Sequence, residues 1–339
     1  MRSIRTILAL TAIFGFAAGS ATADETYYFD VADGNWNVPG NWYPTTGGPP
    51  GPGDTAIIQG DRHCHVTTYS EECKVLKVLD GATLSLEAPC LLRLGDANVA
   101  TTSIIGGTVR FMDDTDVGDA WLTIHQGGVT LASANGGGKL TASEEDECGP
   151  GQGLIATCCA ATQVLTVSPV VTVKGDLHIY VNVENNGAFV VDHADDEMIF
   201  DRFADYARPK ITGDGSFDVS AGTLTFDDCL LPPDNTTTWN LSVAGTIHIT
   251  SECCCAIGTP FHTACAINIT GGELWVERAD PGDPPPPPSL CTFKTIGEFN
   301  MSAGTLDIDG GFKVTGGAQI SGGKIEVAPG KSAEFRHPQ

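Results

Sequence analysis

A ten-residue phrase occurs twice in this chain. Phe217-Asp-Val-Ser-Ala-Gly-Thr-Leu-Thr-Phe226 returns 82 residues later as Phe299-Asn-Met-Ser-Ala-Gly-Thr-Leu-Asp-Ile308. Looser copies, each a glycine turn followed by a short alternating apolar strand, open at Gly81, Gly107, Gly128, Gly175, Gly245, Gly272 and Gly323. Recurrence on this scale constrains the architecture before any other feature does. With Gly222 and Gly304 included, successive gaps are 26, 21, 47, 47, 23, 27, 32 and 19 residues. The two long gaps each read as hiding one unit with a poor signature, which gives about ten units of about 24 residues.

Within a unit, Leu224 and Phe226 share one strand face while Thr225 points the other way, and Leu306, Asp307 and Ile308 repeat the pattern. One such rung cannot bury its apolar face alone, so neighbours must stack into a continuous core. The expectation is an all-β chain: a right-handed parallel β-helix (solenoid) of about ten rungs with an N-terminal cap. At about 4.8 Å per rung the rod is on the order of 50 Å long. The handedness comes from the usual crossover preference of parallel strands. A β-sandwich is the rival, but sandwich strands seldom repeat their wording.

Residues 1–23 read as a secretory signal peptide: Arg2 and Arg5, an apolar run from Ile7 to Ala18, and small residues at Ala21-Thr-Ala23. That run is too short to span a membrane, and no later segment reaches spanning length. Residues 24–62 form the cap segment and 63–339 the β-helix, with lateral insertions near 192–207 and 280–289. The first insertion shows helical spacing of Ile199, Phe203 and Tyr206; the second carries the run Pro284 to Pro288, which cannot pair as a strand.

The formal net charge is −24, from 18 basic and 42 acidic residues, which excludes nucleic acid and anionic membrane as partners. Twelve cysteines in an exported chain point to disulfides. The spacings Cys64 to Cys90, Cys229 to Cys254 and Cys265 to Cys291 are 26, 25 and 26 residues, about one rung, and read as inter-rung staples. Cys64–Cys73 and the group Cys148 with Cys158 and Cys159 are local alternatives. The runs Cys158-Cys159 and Cys253-Cys254-Cys255 leave the pairing open.

The segment from Tyr27 to Gly60 differs in character, with Asn35-Trp36, Asn41-Trp42, Pro52-Gly53-Asp54-Thr55 and Ile57 ahead of Gly81-Ala-Thr-Leu84. In this wording the chain resembles secreted bacterial surface proteins with parallel β-helix repeats. The resemblance implies a β-helix and a cell-surface setting, and it implies no catalytic residues. Trp36 and Trp42 read as a cap over the open end of the coil, with a sugar-stacking platform as the alternative.

Parallel β-helices often serve as polysaccharide lyases and hydrolases. No histidine here is followed by glycine and no Arg-x-Lys occurs, so the hydrolase wording is missing. A calcium-dependent lyase is the alternative function, drawing on Asp113-Asp114, Asp195-Asp196 and Asp227-Asp228 with Arg202 and Arg208 nearby. Asp192, Asp195 and Asp196 are the candidate calcium ligands, as hard oxygen donors. Ca²⁺ is the candidate cofactor, and none is required. The loop Asp114-Thr-Asp116-Val-Gly118-Asp119 opens like a calcium loop but lacks the later acidic ligand.

His63-Cys64-His65 places both histidines on one strand face and Cys64 on the other, so all three cannot meet one ion, and disulfide use of Cys64 is preferred. His262-Thr-Ala-Cys265 has metal-like spacing that oxidation would compete with. Asn235, Asn240, Asn268 and Asn300 open formal glycosylation sequons. The sequence-level function is a secreted or cell-surface structural, adhesive protein whose partners are polysaccharide or surface proteins.

Overall fold

In the computed structural model, the described residues are 24–112, 119–125, 127–133, 137–142, 153–157, 163–202, 208–227, 229–232, 234–250, 263–277 and 292–336. They form a parallel β-helix built from three long sheets of 9, 12 and 11 strands and a short sheet of 3. No helix among them is long and apolar enough to cross a membrane.

Each coil lays one strand in each of three sheets. The first sheet runs from Thr26–Phe29 through Thr55–Ile58 and Val75–Val78 to Ile211–Thr212. The second begins at Asp33–Asn35, His63–Val66 and Thr83–Glu87 and ends at Ala318–Ile320. The third runs from Tyr69–Cys73 to Lys324–Val327. Past Ile211–Thr212 the bridges Gly213↔Asn235 and Thr263↔Thr295 carry pairing on to Thr292–Thr295, the first strand of the short sheet.

The alternating wording explains the packing. Thr305–Ile308 buries Leu306 and Ile308 fully and leaves Thr305 and Asp307 outward, and Thr238–Leu241 does the same with Trp239 and Leu241. Inward side chains of successive coils stack on each other. Phe226 lies flat on Trp239 at a centroid distance of 4.7 Å, and Phe189 on Phe217 at 5.4 Å. Each fully buried residue of this size contributes roughly 1.5–3 kcal/mol, and offset aromatic pairs add about 0.5–1.5 kcal/mol.

The glycine in Ser-Ala-Gly-Thr-Leu is dictated by the coil beneath it. Gly304 has φ +80°, and a Cβ there would lie 2.6 Å from the Gly271 carbonyl oxygen. Gly222 has φ +65°, and a Cβ would lie 2.4 Å from the Asp196 carbonyl oxygen. Only glycine tolerates both the left-handed turn and that close approach.

The phrase marks only one of the three strands in a coil, and not always the same one. Gly81 and Gly107 precede strands of the second sheet, Gly128 one of the first, and every phrase from Gly175 onward one of the third. The unit hidden between Gly175 and Gly222 is the third-sheet strand Glu197–Phe200, headed by Asp195-Asp196 instead of glycine. This corrects the helical reading of that segment: Met198 and Phe200 are buried core, and Ile199 pairs with His178 and Thr225. Phe203 and Tyr206, like the proline run from Pro284, lie outside the described residues.

At the N-terminal end, Trp42–Tyr43 pairs antiparallel with Thr26–Phe29 and is the terminal strand of the first sheet. Trp36 and Trp42 meet edge to face at 4.9 Å, Phe29 meets Trp42 at 5.2 Å, and all three are fully buried. The Trp42 indole N–H donates to the Trp36 carbonyl at 2.7 Å. Asp54 accepts the amides of Glu25 and Gly51 at 3.0 and 2.9 Å, tying the Pro-x-Gly-Asp turn to the first strand. With no exposed face, neither tryptophan can stack on a sugar, so the platform alternative is excluded for this pair.

The one-rung spacing of Cys64 and Cys90 does not make these two stacked neighbours. Cys64 sits in the second sheet between Gly34 and Leu84, whereas Cys90 sits in the third beside Ala120. The staple fails because coil length varies, so a sequence interval near the mean does not return the chain to the same face. Cys64 and Cys73 both point into the core of one coil, and burial, with Glu71, Asp33 and Cys73 adding to it, pushes the Cys64 pKa up. Cys229 and Cys265 are buried; Cys254, Cys291, Cys148, Cys158 and Cys159 lie outside the described residues.

Candidate functional site

The outward side chains of the second sheet line up along the rod because its strands are in register. At the N-terminal end Asp33 stands beside His63 and Asn35 beside His65, and His63 and His65 stand beside Thr83 and Ser85 on the next strand. Outward residues two apart on one strand share a face, so polar side chains from three consecutive strands meet at one place.

Their geometry is convergent. Asp33 Oδ2 lies 3.7 Å from His63 Nδ1 and 3.5 Å from His65 Nε2. The imidazole rings face each other with centroids 3.9 Å apart. The far nitrogens are held from the following strand: His63 Nε2 is 2.7 Å from Ser85 Oγ, and His65 Nδ1 bonds the Glu87 carboxylate. Partial burial, followed by the neighbouring His65, pushes the His63 pKa down, with Asp33 and Glu87 opposing. His63 is therefore a predominantly neutral imidazole near neutral pH, the form that offers a lone pair. Among the described residues this is the group of three or more histidine, cysteine or acidic side chains whose ligating atoms all lie within 4.8 Å of one another.

The sequence placed His63 and His65 on one face and Cys64 on the other, and the structure agrees: Cys64 is fully buried. What the sequence missed is Asp33. Its distance of 30 residues from His63 carries meaning only once the register Asp33↔His63 is known.

The calcium candidates are not brought together in this way. Asp192 pairs with Lys174 Nζ at 3.0 Å, Asp195 is exposed, and Asp196 is buried. Asp227 accepts a hydrogen bond from Thr250 Oγ1 at 2.6 Å. Arg202 is exposed at the end of the described segment that precedes residue 203, and Arg208 opens the next. Asp113, Asp114, Asp116, Gly118, Asp228 and His262 lie outside the described residues.

Toward the other end of the second sheet the outer face becomes an amide ladder. Asn300 donates to Asn268 at 3.0 Å, Asn268 to Asn240 at 2.9 Å, and Asn240 to the Asp218 carboxylate at 2.6 Å. Three of the four formal sequons thus place their acceptor amides on this face, with each Nδ2 engaged by the preceding strand. Beside the ladder lies a groove of about 300 Å³ lined by Asn268, Thr270, Asn300, Ser302, Gln319 and Ser321 among others, with no charged side chain in its lining. On the third sheet, His248 stacks on Trp275 at 4.0 Å with rings 5° from parallel, and its Nε2 lies 3.3 Å from Glu277.

Comparison with protein-family models, curated proteins and solved structures finds no significant match to this chain.

Proposed function

We propose that this chain is a secreted or cell-surface structural protein: an adhesive β-helix that acts without catalysis and presents an acidic rod to glycans or protein partners. The observation that carries the reading is the uncharged groove along the amide ladder. Its amides and hydroxyls offer paired donors and acceptors of the kind that sugar hydroxyls satisfy, on a scaffold whose register holds them in place.

Other features favour the same reading. Several basic side chains, of the kind a lyase would need as a base, are committed to ion pairs on this surface. Lys174 pairs with Asp192, Lys210 with Asp234, Lys313 with Glu334 and Arg93 with Glu72. The leader-like residues 1–23 and the net charge of −24 suit an exported, soluble rod.

The test is incubation of the mature chain with a panel of acidic and neutral polysaccharides, with and without Ca²⁺, following both retention and product release. Retention that weakens in a Thr270→Ala/Ser321→Ala variant, without new reducing or unsaturated ends, is the expected result. Calcium-dependent release of such ends would overturn the non-catalytic reading, and failure to retain any glycan would overturn the glycan-adhesive one.

A further inference from the structure

We propose that Asp33, His63 and His65 form a binding site for a divalent transition-metal ion of the zinc class. The inference is independent of the adhesive reading and rests on the N-terminal end of the second sheet.

The donor set and its spacing fit. Zinc bonds of 2.0–2.2 Å to nitrogen and oxygen in a tetrahedron place neighbouring donors about 3.3–3.5 Å apart. Here Asp33 Oδ2 is 3.5 Å from His65 Nε2 and 3.7 Å from His63 Nδ1, and all three donors fall within 4.8 Å of each other. Bringing Asp33 to bonding distance of an ion shared with either histidine needs shifts of a few tenths of an ångström, within the freedom of its exposed side chain.

The orientation of the rings is the more telling observation. Each histidine aims one nitrogen at Asp33 and gives the other to a partner on the next strand: Ser85 for His63, Glu87 for His65. Metal-bound histidines characteristically have the second ring nitrogen held in this way, by a carboxylate or other acceptor that fixes tautomer and ring angle. Both near nitrogens converge on the one carboxylate of Asp33 while both far nitrogens are held from the next strand.

Nitrogen donors select a borderline ion over Ca²⁺ or Mg²⁺, which take oxygen. Three protein ligands with Asp33 exposed leave the fourth position open to solvent, as in zinc sites that keep an exchangeable ligand. Zinc would also tie two successive coils together at the N-terminal end, since Asp33 and the histidines lie on neighbouring strands, with Glu87 on the next strand holding His65.

The experiment is titration of the full mature chain, accessible thiols blocked, with Zn²⁺ by calorimetry and with Co²⁺ by visible absorption, using Ca²⁺ as the hard-cation control. One Zn²⁺ per chain is expected, together with the intense Co²⁺ absorption of a four-coordinate site containing nitrogen. Asp33→Asn, His63→Ala and His65→Ala should each weaken Zn²⁺ at least about 100-fold. Glu87→Gln, which acts through His65, should weaken it about 10–100-fold and leave the Co²⁺ band shape in place. Asp33→Asn keeps size and is exposed, so it reports on the site even where a histidine variant fails to fold. Absence of Zn²⁺ binding at micromolar concentration would overturn the proposal. So would binding that survives unchanged in Asp33→Asn and in a folded His63→Ala/His65→Ala variant, or Ca²⁺ binding as tight as Zn²⁺.

Discussion

Replacing Asn268 by alanine removes two links of the amide ladder at once, the bond it donates to Asn240 at 2.9 Å and the one it accepts from Asn300 at 3.0 Å. A hydrogen bond contributes about 0.5–1.5 kcal/mol net, and these lie on a half-buried face where water can reach the groups left behind. The expected cost is therefore about 2 kcal/mol, without the larger penalty of an orphaned buried amide. Urea unfolding followed by tryptophan fluorescence should show a lower midpoint with an unchanged slope. Asn268→Asp should cost at least as much, because a carboxylate would face the Asn240 carbonyl oxygen in place of a donor. A double-mutant cycle of Asn268 with Asn300 should show coupling of about 0.5–1.5 kcal/mol. Pairing Asn268→Ala with Thr166→Ala, on the first sheet, should be additive within about 0.3–0.5 kcal/mol. A single-variant loss below about 0.5 kcal/mol, together with additivity of Asn268 and Asn300, would refute the ladder as a stabilising device.

Further predictions test other parts of the fold. Gly304→Ala should destabilise by more than about 1 kcal/mol, since alanine meets both the φ of +80° and the Gly271 carbonyl; Gly40→Ala, with open space around it, should stay within about 0.5 kcal/mol. Burial pushes the His178 pKa down to about 4, so its neutral form stabilises the fold fully above the unfolded value near 6.5, and that contribution is lost as pH falls toward 4. Between pH 7 and 4 the native chain should lose up to about 3 kcal/mol more stability than His178→Gln, and equal losses would contradict this. Burial also raises the Cys265 thiol to about 12, and Cys73 well above its ordinary value. Iodoacetamide at pH 8 should therefore spare both in the native protein; labelling after denaturation alone identifies thiols, and labelling only after added reductant identifies disulfides.

The repeat, the all-β class and the inward alternation were legible because a solenoid writes its core into the sequence as period-two runs headed by glycine. Three strands per coil were not, because the phrase marks whichever strand happens to follow a tight left-handed turn; Glu197–Phe200 follows two aspartates and left no such mark. Ile199 lies in a strand, since Met198 and Phe200 on either side of it form a period-two pattern that faces the core. Site chemistry was half visible. The pair His63 and His65 is local, and alternation alone puts it on one face, but Asp33 and Glu87 reach it through pairing across coils of unequal length. The spacing of Cys64 and Cys90 misled for the same reason.

Because the strands lie across the rod, their hydrogen bonds run along its axis, and this sets how the molecule meets force. Tension applied end to end opens each coil's bonds in succession, as a zipper, instead of shearing a whole sheet at once. The ladder steps of 22, 28 and 32 residues measure what successive coils would pay out. At about 3.3–3.6 Å per extended residue, that is roughly 70–115 Å of slack per coil. A protein of this build would yield under load in graded increments, lengthening more than about tenfold over its folded reach before the last coil is lost.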